Sequence, residues 1–105
     1  METIKFSYNW NKKLENTCFT TIRLQNSKYK IGEIYTIQAK GITDFEGKII
    51  DIKHLYLNEI SEFIARIDTG YSKEKCTEII RTMYKKSVFD WTTQKLSFIL
   101  IERQK

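Results

Sequence analysis

The sequence predicts an α+β fold: a small, twisted, partly closed sheet of about five strands, with two helices inserted before the last strand. Three observations carry this expectation. β-rich segments fill the first half of the chain, two segments with helical apolar spacing follow, and a nearly unbroken apolar run closes it. The 105 residues contain no proline and four glycines, so no linker divides them and residues 1–105 read as a single domain.

The elements follow in order. Thr3-Ile-Lys-Phe-Ser-Tyr alternates apolar and polar residues, the period of a half-buried strand. Asn9 then precedes Trp10-Asn-Lys-Lys-Leu-Glu-Asn, a short helical segment in which Trp10 and Leu14 are four apart. Cys18-Phe-Thr-Thr-Ile-Arg-Leu is β-branched and aromatic, hence a second strand. After a polar loop, Gly32 marks a turn, and residues 34–40 form a third strand. Gly41 and Thr43-Asp-Phe-Glu-Gly47 predict another turn, with a fourth strand over 48–57. Asn58 is placed to cap a helix whose stripe is Ile60, Phe63, Ile64 and Ile67. Asp68-Thr-Gly-Tyr breaks it. Ser72 caps the next, with Cys76, Ile79, Ile80, Met83 and Tyr84 in one stripe. Lys95-Leu-Ser-Phe-Ile-Leu-Ile-Glu is the last strand, and its apolar continuity places it inside the sheet.

Composition narrows the function classes. No apolar run is long enough to span a membrane, and the N-terminus lacks the core of a signal peptide, so the expected location is the cytoplasm. Cys18 and Cys76 have no CxxC spacing, and one histidine does not complete a zinc site with them, so no metal and no cofactor are expected. The net charge of +5 is unevenly spread: residues 1–40 and 71–105 each carry +4, and residues 41–70 carry −3. That pattern suits steering of a polyanion to one side, and equally suits an ordinary solvated surface.

Candidate chemistry is sparse. No phosphate-binding glycine loop or hydrolase elbow occurs. His54 is in phase with Ile50 and Ile52, which favours a partly buried structural role. Cys18 lies near Lys12 and Lys13 in sequence but has no visible partner base. Cys76, on an apolar stripe, reads as core. Arg23 and Thr21 share one face of their strand, a hydroxyl and a guanidinium suited to an anionic or carbonyl-bearing ligand. The alternative is an arginine whose stem covers the sheet edge while its head reaches water. Asp68 is either an acid or base beside a ligand or the cap of its turn. Tyr8, Trp10, Tyr29, Tyr35 and Trp91 add aromatic surface among basic residues, as in single-strand binders or in any small core.

These pieces together resemble the ASCH domain, the small branch of the PUA-like β-barrel superfamily. The resemblance runs through Lys12-Lys-Leu-Glu-Asn, Thr20-Thr-Ile-Arg23, Tyr29-Lys-Ile-Gly-Glu33, the helix 59–67, Asp68-Thr-Gly-Tyr-Ser72 and a helix ending Met83-Tyr84. It implies a barrel with a cleft between sheet and helices, and an association with RNA. It also implies, in one subgroup, hydrolysis of the amide of N4-acetylcytidine. That subgroup's pattern is Gly-x-Lys-Thr-x-Thr-x-Arg with a later acid. Thr21 and Arg23 match its end, Asp68 stands for the acid, and Asn16, Cys18 and Phe19 occupy the Gly, Lys and first Thr positions.

The resemblance therefore implies a binding module for RNA or a nucleoside-like ligand. Thr21 and Arg23 would contact the ligand, with Lys12, Lys13, Lys28 and Lys30 as a basic rim. The alternative is an amidohydrolase with Thr21 as nucleophile, Asp68 as acid/base and Arg23 stabilising developing charge. A third expectation is a protein-interaction domain that uses the helix pair.

Overall fold

The computed structural model describes all 105 residues. Five strands make one sheet: β1 (Thr3–Phe6), β2 (Cys18–Leu24), β3 (Ile34–Ala39), β4 (Ile42–Tyr56) and β5 (Lys95–Arg103). Their spatial order is β1-β3-β4-β5-β2, so the first two strands of the chain are its two free edges. β1 is parallel to β3, and every other pair is antiparallel. The mixed sheet curls into a half-barrel, and the chain is α+β. β5 lies between β4 and β2, the interior place that its apolar run predicts.

The turn between β3 and β4 is shorter than expected. The chain reverses at Lys40–Gly41, where the expected Gly41 has φ +81°, but residues 43–47 belong to β4 and not to the turn. Gly47 is needed for packing and not for turning. A Cβ there would lie 2.6 Å from Ile101 Cγ2. A register shift between Ile49 and Asp51 buries Ile49 and turns Ile50 outward, which breaks the expected Ile50–Ile52–His54 face. His54 is consequently exposed, with Nδ1 3.2 Å from Ser97 Oγ.

The segment Trp10–Glu15 is 3-10 and kinked, not a regular helix, because Asn11 and Lys12 are left-handed (φ 56° and 53°). Its Leu14 is fully buried, and the Arg103 guanidinium donates to the Leu14 carbonyl while lying 3.7 Å from the Phe45 ring centroid.

Helix α1 (Glu62–Thr69) starts after the expected 59, with a short 3-10 turn at Leu57–Glu59 before it. Ser61, not Asn58, is its N-cap and accepts from Ile64 N–H. Its buried face is Ala65, Asp68 and Thr69, whereas Phe63 and Ile67 are 77% and 47% exposed. The helix packs on β2, α2 (Lys73–Met83) and the 3-10 segment. Ala65 is the small side chain on that contact face, and partners inside the fold satisfy the polar ones. Thr69 donates to the Ala65 carbonyl at 2.8 Å. Gly70 then ends α1 in the left-handed region, φ +81°, where a Cβ would also crowd Asn11 at 3.1 Å. Ser72 caps α2 as expected, and Cys76 and Ile80 are its buried stripe, while Met83 is exposed.

Two apolar clusters result. One gathers Ile4, Phe6, Leu14, Phe19 and their neighbours around β1 and β3–β5. The other joins Ile22, Leu55 and Leu96 to the helices through Ala65, Cys76 and Ile80.

Candidate functional site

Two neighbouring segments near the start of the chain converge on one distant carboxylate. Lys13 Nζ donates to Asp68 Oδ1 at 2.9 Å, and Thr20 Oγ1 donates to the same oxygen at 2.9 Å. Lys13 and Asp68 are only 4% and 5% exposed. Burial lowers the Lys13 amine below its ordinary pKa, against the opposing pull of Asp68. The local causes are legible once the fold is known. The left-handed residues Asn11 and Lys12 lie between Trp10 and Lys13, so the chain turns sharply within the segment that supplies both. The phase of α1 puts Asp68 on its inner face, and Gly70 ends the helix immediately beyond.

A cleft opens beside this group. It encloses about 490 Å³ counting its open mouth, but water-molecule centres reach only about 50 Å³ of it. Lys13, Asp68 and Thr21 contribute polar groups, and Phe6, Trp10 and Ile80 are among its apolar walls. Tyr8 packs against Trp10 with ring centroids 4.6 Å apart, and Tyr71 meets Trp10 edge to face at 6.0 Å. Thr21 Oγ1 accepts from Arg23 Nε at 3.2 Å. Arg23 Nη2 donates to the Lys5 carbonyl, and the guanidinium lies 4.7 Å from the Phe6 ring centroid. Arg23 therefore reaches from edge strand β2 to edge strand β1 and straps the open seam of the half-barrel.

The structure brings Thr21, Arg23, Asp68 and Lys13 to one cleft. It leaves the rest of the expected basic rim outside. Lys12 is exposed beyond the lining, and Lys28 and Lys30 stand with Glu2 and Glu33 around a separate hollow. Their backbones clasp buried Tyr35, whose hydroxyl donates to the Lys28 carbonyl at 2.6 Å and accepts from Lys30 N–H at 2.8 Å. That clasp fixes Tyr35 as core, not as a stacking surface.

Sequence reasoning missed Thr20. The signal was present, because Thr20 shares strand parity with Ile22, which packs in the cluster joined to the helices. Cys76 is fully buried, and burial, with Asp68 nearby, pushes its thiol up to about 11. Cys18 is exposed at the start of β2. A roomier hollow on the outer side of α2, between Glu74, Thr77 and Arg81, has no apolar wall and reads as a solvated helix face. No helix is long and apolar enough to cross a membrane.

The chain matches no family model, no curated protein and no solved structure. What the cleft can do rests on its geometry. It pairs an aromatic wall, its Tyr8 and Trp10 rings tilted at 60° to each other, with a buried charged group, an arrangement suited to a ring-bearing ligand that carries hydrogen-bonding edges.

Proposed function

We propose that the chain is a binding module of the ASCH kind, PUA-like in fold, that takes a nucleoside-sized ligand, free or within RNA, in this cleft. The observation that carries the reading is the Tyr8–Trp10 pair lining the same cleft as the Lys13–Asp68 group. A base stacks on the aromatic wall, and its polar edge meets the hydroxyl of Thr21 and the charges behind it. An NMR titration with cytidine, N4-acetylcytidine and a short single-stranded RNA tests it. Shifts clustered on Trp10, Thr21 and Asp68 are expected. The absence of shifts with all three at millimolar concentration overturns the reading and moves the weight to a protein-interaction domain.

Amide hydrolysis is the second reading, and the position of Lys13 favours it. The hydrolase pattern places its lysine where this chain has Cys18, yet Lys13 brings an amine to Asp68 from the segment before β2. In this scheme Asp68, held in place by Lys13, takes the Thr21 proton as Oγ adds to the acyl carbon. The carbon–nitrogen bond then breaks, the exocyclic amine leaves with that proton, and water hydrolyses the acyl-threonine. Release of acetate from N4-acetylcytidine, followed by its methyl signal, is the readout. Acetate formed equally by Thr21→Ala sinks the assignment.

A further inference from the structure

The cleft continues past Arg23 onto the outer end of the β1–β3 pair. Lys5 and Phe6 line both the cleft and a shallow neighbouring hollow of about 350 Å³, whose other walls include Gln38, Lys40 and Asp44. The charges here are unbalanced. The ion pairs of the molecule are Lys13–Asp68, Arg66–Glu62 and Lys75–Glu78, so Lys5, Arg23 and Lys40 have no carboxylate partner. The one acid of the hollow, Asp44, accepts from the Gln38 amide at 2.9 Å. The backbone explains why both lysines reach this place. Lys5 is opposite Gln38 in the parallel register, and Lys40 follows the last paired residue, Ala39, at the Gly41 turn.

We propose that this hollow is an anion subsite for a phosphate ester carried by the ligand of the cleft, with Lys5 and Lys40 as its cations. The inference rests on the nucleoside-binding reading and specifies it further: the ligand is a nucleotide and not a bare nucleoside. Arg23 is largely engaged by Thr21, Lys5 and Phe6, so it adds positive potential more than free donors. Two exposed ammonium groups suit a phosphate as point charges, and a contact of this kind weakens as salt rises.

The test compares cytidine with cytidine 5′- and 3′-monophosphate at low and high salt, on the wild type and a Lys5→Gln/Lys40→Gln double variant. Both lysines are exposed, so the double variant is expected to fold, and amide chemical-shift dispersion checks this. At low salt one monophosphate is expected to bind about tenfold more tightly than cytidine, from charge-assisted contacts. That ratio falls toward one in the double variant and at high salt. Equal affinities for nucleoside and monophosphates in the wild type overturn the subsite and leave the cleft reading intact. A ratio that survives the double variant overturns the assignment to Lys5 and Lys40. Failure of cytidine and both monophosphates to bind overturns the cleft reading and the subsite together. A short RNA with and without a terminal phosphate identifies the source. A phosphate effect in RNA assigns an RNA end, and one confined to mononucleotides assigns a free nucleotide.

Discussion

At Lys13 and Asp68 two opposite charges share a space from which water is nearly excluded, so each depends on the other. Removing one leaves the second buried without its partner. Asp68→Leu is expected to cost about 3–5 kcal/mol in urea unfolding, and Lys13→Met/Asp68→Leu to recover most of that loss. The neighbouring thiol gives a prediction in pH. An unfolded chain releases the Cys76 proton near pH 9 and the folded chain near pH 11, so between them the folded state holds more protons. Stability falls across that window, by about 2–3 kcal/mol from this group. The lowered Lys13 amine acts oppositely below its ordinary 10.5, where the unfolded chain holds the extra proton. Urea unfolding at several pH values is therefore compared with Cys76→Ala, in which the thiol's downward slope disappears. Each of these residues is conspicuous in the sequence, but their meeting is not. Lys13 and Asp68 are 55 positions apart, and their contact depends on the strand order and on two consecutive left-handed residues, of which Asn11 has that tendency and Lys12 does not.

Among the elements, β2, β5 and the Ser72 cap were legible because one strong local cause determines each. Helix α1 was legible only in part. Ile60 is buried just ahead of it and Ile64 packs against the same cluster, as the stripe predicts, yet Phe63 and Ile67 face outward and the buried positions within the helix are Ala65, Asp68 and Thr69. Close approach to β2 favours a small side chain there, and tertiary contact overrides the rest of the stripe. Phe63→Ser and Ile67→Ser are accordingly expected to change stability by less than about 0.5 kcal/mol, while Ala65→Leu costs about 1–3 kcal/mol. The β3–β4 turn misled for a related reason. Thr43 to Gly47 has turn composition, but Gly47 is a strand residue chosen for its missing Cβ. Gly47→Ala, with Ile101 in its way, is expected to lose about 1–3 kcal/mol by thermal or urea unfolding.

In the whole molecule the order β1-β3-β4-β5-β2 separates the first two strands to opposite edges and asks the segment between them to cross the opening. The α+β class was legible from segment order, whereas this arrangement was not, since pairing partners leave no mark in periodicity. Arg23 is the side chain that ties the two edges directly. Arg23→Met keeps the stem and removes the tie, so faster amide exchange is expected in β1, with β4 and β5 unchanged.

The crossing segment also governs how quickly anything enters. Water centres reach about 50 Å³ of the cleft, so a guest the size of a base needs its walls to part, and the segment bearing Trp10 is the expected place for that adjustment. Leu14 is held by Arg103, which leaves the left-handed pair Asn11–Lys12 as the pivot. Association is expected to be limited by that adjustment and not by diffusion. In stopped flow on Trp10 fluorescence, the observed rate should level off with ligand concentration, and Lys12→Gly should raise the plateau.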